Sequence, residues 1–140
     1  MDVQALNGYI GREIRRVAYQ DRVEVYLPFY FGEGDSEPLC LVWDKNKVLS
    51  DGGRTLAELK KRVGDVTPYN ESIANILKTY GNVKLEGGQK LVVRDFQTVI
   101  DGDRTYKDYS GGLNKLIRVI SLISVVDKIK VDEDGAVIVC

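Results

Sequence analysis

The sequence contains no histidine, and this absence removes several kinds of chemistry at once. Without an imidazole, the chain cannot build a Ser-His-Asp triad, a Cys-His pair or a histidine-containing zinc site. Its only two cysteines, Cys40 and Cys140, are too few for the disulfide framework of a small secreted domain. We therefore expect no catalytic residue, no metal site and no cofactor, and the sequence leans away from an enzyme.

The sequence also lacks an excess of charge of either sign. It carries 20 basic and 21 acidic side chains, and both halves of the chain are balanced in the same way. A protein that binds nucleic acid through bulk charge normally has a basic surplus or a basic arm. Nucleic-acid binding is therefore the weakest of the functions considered.

Long apolar runs are absent as well. The most apolar window, residues 113–126, is interrupted by charged and polar side chains and is shorter than the roughly 18–20 residues that span a bilayer. The first residues do not have the basic and then apolar pattern of a signal peptide. We expect a cytoplasmic protein with no membrane contact, and a reducing compartment suits the free thiol of Cys140.

What the sequence does contain is typical of one globular domain over residues 1–140. The chain is 44% hydrophobic, which is enough for a packed core. A short helix is predicted over residues 2–9. Residues 13–50 alternate between apolar and polar side chains or form short apolar runs, which predicts a four-stranded antiparallel meander with a polar loop at residues 32–38.

Helical periodicity begins after residue 54. Thr55-Leu56-Ala57-Glu58 matches a capping box, and Gly64 is a suitable C-terminal stop for the helix. Pro68 and Asn70 mark the start of a second helix, which Gly81 closes.

The remainder alternates between hairpins and a helix. A hairpin is predicted from residues 83–85 and 91–93, while residues 94–105 are unassigned apart from a turn at 101–103. A long apolar helix is predicted from about residue 106 to 126, with Gly111-Gly112 as a place where it could break. A final hairpin joins residues 129–132 and 136–139. The predicted fold class is α+β: an antiparallel β-meander followed by helices, a second hairpin and a long apolar helix.

A short motif lies between the meander and the first helix of this pair. The motif Leu49-Ser50-Asp51-Gly52-Gly53, together with Leu27-Pro28-Phe29 and the helix that contains Ile76-Leu77, resembles a bacterial and phage family known as domain of unknown function 1828. The resemblance covers about residues 13–93. It implies an α+β domain from a bacterial or mobile-element genome, and it implies no activity.

The turn of Asp51, Gly52, Gly53 and Arg54 has two interpretations. Glycines permit a sharp reversal from strand to helix, and Asp51 can accept hydrogen bonds from downstream backbone N–H groups, so the turn can be a structural connector. Alternatively, its N–H groups and Arg54 form a small-ligand or anion site. The spacing of Asp51 with Glu58-Leu59-Lys60 also resembles a nuclease pattern, but Glu58 and Lys60 would diverge on a helix.

Two apolar features are candidates for partner contacts. Tyr26 and Tyr30 share one face of a regular strand and are candidates for a partner-facing or base-stacking surface. The helix at 113–126 is apolar almost all round, so its residues Leu116, Ile120 and Ile123 form either core or an interface.

From these features we expect a non-enzymatic protein-interaction or regulatory module of a bacterial or phage system, acting through a protein partner or through self-association. The alternative is a small-ligand-binding protein or an enzyme that uses the turn at Asp51–Arg54.

Overall fold

The main sheet is built largely from the strands that the alternating pattern predicts. A computed structural model describes residues 15–30 and 38–140. Six antiparallel strands lie in the order β1-β2-β3-β4-β6-β5. Their bounds are β1 Arg15–Ala18, β2 Arg22–Tyr30, β3 Pro38–Asp44, β4 Leu49–Ser50, β5 Val83–Glu86 and β6 Lys90–Val93. The predicted meander is confirmed, whereas the helix at 2–9 and most of the loop at 32–38 fall outside the described residues.

The second predicted hairpin is not a separate unit. Its strand β6 pairs with β4, where Leu49 lies opposite Val93 and Ser50 opposite Val92. The hairpin therefore extends the meander into one sheet, and the two first helices form the connection between β4 and β5. Pattern alone could not show this pairing, because the partners are about forty residues apart in the chain.

Three helices pack on one face of this sheet. They are α1 Arg54–Val63, α2 Asn70–Thr79 and α3 Tyr109–Ser124, with 3-10 turns at Thr67–Tyr69 and Val126–Lys128. The ends of α1 and α2 at Gly64 and close to Gly81 agree with the prediction. Within the described residues, none of the helices combines the length and the apolar character needed to cross a bilayer.

Two small hairpins complete the structure. The first, β7 Thr98–Asp101 with β8 Arg104–Lys107, occupies the region left unassigned, and it turns at the predicted Gly102. The second, β9 Ile129–Val131 with β10 Val137–Val139, is the predicted final hairpin. Nearly all residues of the first hairpin are exposed, which explains why it has no apolar pattern in the sequence.

Helix α3 begins three residues later than predicted and does not break at Gly111-Gly112. The Asp108 carboxylate caps it by accepting a hydrogen bond from the Gly111 N–H at 2.9 Å. Gly112 is required for close packing, because a Cβ atom there would lie 2.5 Å from Cε1 of Phe96.

The predicted interface stripe of α3 is part of the core. Leu116 and Ile123 are fully buried and Ile120 is 3% exposed, all within one cluster shared with the sheet and the other helices. The structure thus places these three side chains inside the domain, where a partner cannot contact them. The apolar character of α3 arises because it packs against α1, α2, β5 and β6 together.

We predict that Gly112→Ala destabilises the protein although alanine favours helix. The added methyl group would overlap the Phe96 ring, which Trp43 and Tyr109 hold at centroid distances of 5.7 and 4.9 Å. We expect a loss of about 1–2 kcal/mol in the free energy of unfolding, measured with urea. Gly81→Ala is the control, since nothing lies within 4 Å of its Cβ position. Equal stability of the two variants would contradict the close packing.

Candidate functional site

The turn between β4 and α1 depends on two glycines. Gly52 and Gly53 have φ values of 67° and 81°, in the left-handed region that residues with a Cβ rarely adopt. Gly53 is the N-cap of α1. The chain can therefore pass from the end of β4 at Ser50 to the start of α1 at Arg54 through a turn of three residues.

The carboxylate of Asp51 is the centre of this turn. Asp51 is 2% exposed, and its oxygens accept hydrogen bonds from three backbone N–H groups. The donors are Gly53 at 2.8 Å, Thr55 at 3.1 Å and Leu91 at 3.0 Å. Its own N–H donates to the Leu91 carbonyl at 3.1 Å. One side chain thus joins the end of β4, the start of α1 and strand β6.

The predicted capping box is wrong, and Asp51 explains why. The box requires Thr55 to precede the helix, but Thr55 lies within the first turn and is 1% exposed. Its N–H is already bound by Asp51, and its hydroxyl has no hydrogen-bond partner among the described residues. In a capping box, Glu58 would accept the hydrogen bond from the Thr55 N–H. Here Asp51, which precedes the helix, accepts that bond instead.

The position of Asp51 disfavours the binding of an anion at the start of α1. The first N–H groups of α1 already face a carboxylate, so an anion at the same place would meet a negative charge. Arg54 is partly buried as the first residue of the helix. In the part of the chain that the structure describes, no group of three or more acidic or cysteine side chains is placed to hold a metal ion.

A groove opens beside the turn. It has a volume of about 430 Å³ and begins at Gly53. One wall is the outer face of α1, and the opposite side is formed by the loop after α1 and the turn between β5 and β6. Its other lining side chains include one cation and one carboxylate among apolar and amide groups, and they are Leu56, Ala57, Lys60, Asp65, Val66 and Gln89.

The tyrosine surface is described only in part. Tyr26 lies opposite Cys40 on the sheet and donates a hydrogen bond from its hydroxyl to Oε1 of Glu24 at 3.1 Å. This bond, with burial and nearby negative charge, raises the pKa of Tyr26 to about 12. The side chain of Tyr30 lies outside the described residues. An irregular register between Tyr26 and Tyr30 interrupts the alternation that would place them on one face.

The exposed apolar side chains are concentrated on the two small hairpins. Ile100 is 75% exposed and Tyr106 50% exposed on the first hairpin. All three residues of β10 are exposed apolar residues, Val137 at 47%, Ile138 at 52% and Val139 at 80%. Sequence reasoning missed this surface, although an apolar run without alternation at 136–140 was the available signal.

Strand β10 pairs with β9 along one edge, and its other edge meets no strand in the part of the chain that the structure describes. Hydrogen bonds from the Asp132 N–H to the Ala136 carbonyl and from the Cys140 N–H to the Lys128 carbonyl frame the hairpin. Because bonded pairs alternate in an antiparallel ladder, Ile138 uses its backbone groups toward β9. The backbone groups of Val137 and Val139 point the other way, toward an edge that is not paired with another strand in the described sheets.

The other edge of this hairpin is attached to the domain. The Val131 N–H donates to Oγ of Ser72 at 3.2 Å, and Nδ2 of Asn75 donates to the Val131 carbonyl at 2.9 Å. Both side chains belong to α2. Strand β9 therefore lies against this helix, and β10 is the outer strand of the hairpin.

Comparisons with protein-family models, with curated proteins and with solved structures find no match to this chain.

We predict that Asp51→Ala is strongly destabilising, whereas Asp101→Ala, in an exposed hairpin, has little effect. Removing the carboxylate leaves the Thr55 and Leu91 N–H groups buried without acceptors. We expect a loss of about 3 kcal/mol or more for Asp51→Ala in urea unfolding. Similar stability of Asp51→Ala and the wild type would show that the three hydrogen bonds do not hold the turn.

Proposed function

We propose that the chain is a non-enzymatic protein-interaction or regulatory module that binds an extended segment of a partner protein, or of a second copy, along the edge of β10. The observation that supports the proposal is that β10, with three exposed apolar side chains, has one edge that pairs with no other strand among residues 15–30 and 38–140. A bacterial or phage setting for this module rests on the resemblance of the Asp51 turn to the family named above.

An edge of this kind favours strand addition. The outward N–H and C=O groups of Val137 and Val139 can form ladder hydrogen bonds with an incoming strand. Proteins commonly protect exposed edges with charged residues or proline, and β10 has neither. Its short length of three residues limits the number of ladder hydrogen bonds, so the affinity should be modest and depend on side-chain contacts.

The attachment of β9 to α2 supports the same proposal. An isolated two-stranded hairpin is marginally stable in water and would have to become ordered as it binds. Here Ser72 and Asn75 fix the inner strand, so β10 presents its edge in a defined position. The loss of conformational entropy on binding is therefore reduced.

We predict that Val139→Pro weakens partner capture from a bacterial lysate, or self-association measured by light scattering, by about tenfold or more. Proline removes an outward N–H that the fold itself does not use, so the thermal midpoint should change little. Ile138→Pro is the contrasting variant, since it removes a hydrogen bond within the hairpin and should destabilise it. Val139→Thr keeps the N–H and the β-branched shape and should retain binding.

The proposal is contradicted if Val139→Pro retains the same captured protein, or the same self-association, as the wild type. It is also contradicted if the wild type is monomeric and captures no protein that depends on the β10 edge.

A second candidate function is the binding of a small ligand in the groove that begins at Gly53. The observation that favours it is one cavity of about 430 Å³ that is lined by apolar Leu56 and Val66 together with the oppositely charged Lys60 and Asp65. Apolar walls with a few polar groups are typical of small-molecule sites. An amphipathic anion such as 1-anilinonaphthalene-8-sulfonate suits this chemistry.

We predict that this dye binds the folded protein and that Lys60→Gln weakens binding about threefold to fivefold, because the charge faces the groove. Lys61→Gln is the matched control, as Lys61 is the next residue on α1 and does not line the groove. Fluorescence titration below the unfolding transition measures both. Equal affinity of the two variants would contradict binding in this groove.

A further inference from the structure

A second groove lies where three connecting segments of the chain meet. Its volume is about 390 Å³, near the lower end of the range for small-ligand sites. It receives residues from the turn after β3, from the connection after β6 and from the junction of β8 with α3. The lining side chains carry three positive charges and one negative charge, with two aromatic rings, and they are Asn46, Lys47, Arg94, Asp95, Phe96, Lys107 and Tyr109.

Lys47 is held in an unusual backbone conformation. With a φ of 60°, it is the one non-glycine residue with a positive φ in the part of the chain that the structure describes. The turn around it is rigid, because Oδ1 of Asp44 accepts hydrogen bonds from the N–H groups of Asn46 and Val48. Glycine is the usual residue at such a position in a hairpin. A lysine there adopts a less favourable backbone conformation and places a charged side chain at the turn.

The other two cations, Arg94 and Lys107, differ in their existing partners. Arg94 forms an ion pair with Glu86, with Nη2 2.7 Å from Oε1, and this pair raises the pKa of Arg94. Lys107 donates to the neutral hydroxyl of Thr98 at 2.8 Å. Across residues 15–30 and 38–140, neither Lys47 nor Lys107 forms a salt bridge. These two ammonium groups are therefore available to an anion.

An aromatic wall stands beside these charges. Tyr109 is partly exposed in the groove, and Phe96, which is only 8% exposed, supports it from the core in an edge-to-face contact with ring centroids 4.9 Å apart. Trp43 packs behind both, at 5.7 Å from Phe96 and 5.4 Å from Tyr109. A rigid aromatic surface of this kind can contact a planar ring of a ligand at little entropic cost.

We propose that this groove binds a nucleotide unit, with its phosphate at Lys47 and Lys107 and its base against the partly exposed ring of Tyr109. Asp95 repels a bare phosphate but accepts hydrogen bonds from the hydroxyl groups of a sugar. The combination of cations, aromatic rings and one carboxylate therefore suits a nucleotide better than an inorganic anion. The unit can come from a free nucleotide or from a single-stranded nucleic acid, which share this chemistry.

The only tryptophan of the chain provides the test. Adenosine 5′-monophosphate should quench the fluorescence of Trp43, and Lys47→Asn should weaken its binding about threefold to fivefold by removing one exposed charge. Asparagine tolerates the left-handed conformation, so the turn is preserved. Lys45→Asn is the matched control, because Lys45 lies in the same turn but does not line the groove. Lys107→Gln should weaken binding as Lys47→Asn does.

Three further probes separate the parts of the ligand. Inorganic phosphate and adenosine should each bind more weakly than the complete nucleotide. An adenylate RNA decamer, which keeps the 2′-hydroxyl groups, identifies single-stranded nucleic acid as the source if it binds more tightly with the same response to Lys47→Asn; equal or weaker binding identifies the free nucleotide. The proposal is overturned if calorimetry detects no binding of the nucleotide, if Lys45→Asn and Lys47→Asn bind it equally, or if phosphate alone binds as well as the nucleotide.

Discussion

The fold depends on one buried carboxylate. Asp51 lies where strand β4 ends, and its oxygens bind backbone N–H groups of the turn, of helix α1 and of strand β6. A buried charge is costly unless it is fully hydrogen-bonded, and three N–H donors meet that requirement here. The position of the sheet's last two strands and the starting point of α1 both follow from this one group.

Sequence reasoning predicted the parts of the fold that depend on local pattern. The alternation of Val23, Val25 and Leu27 gave the meander strand, and Gly64 and Gly81 gave the helix ends. The pairing of β4 with β6 could not be predicted, because it rests on contacts between distant segments such as Leu49 with Val93. The capping box failed for a local reason: Thr55 has the right neighbours in sequence, but Asp51, four residues earlier, accepts the hydrogen bond from its N–H.

The candidate sites show a similar division. The motif at Asp51–Arg54 was visible in the sequence, and the structure gives its carboxylate a role inside the fold. The apolar stripe of α3 was visible too, but the sheet and the two other helices cover it. The surfaces now proposed for binding, the edge of β10 and the groove at Lys47, are formed by short hairpins and turns. Such surfaces arise from backbone direction and from the meeting of separate loops, which a pattern of residue types does not encode.

The core around Asp51 and the peripheral elements have different roles. The helices and the sheet are tied together at Asp51, while β10 and the turn at Lys47 lie on elements whose side chains can change without disturbing that centre. A fold arranged in this way can present an edge to a protein and a charged groove to a small ligand independently.

Native-state amide hydrogen exchange tests the central role of Asp51 most directly. The account predicts that the N–H groups of Thr55 and Leu91 exchange only through global unfolding, with the same protection free energy as the neighbouring core residue Val93. Exchange of Thr55 and Leu91 through a local opening, much faster than that of Val93, would contradict it.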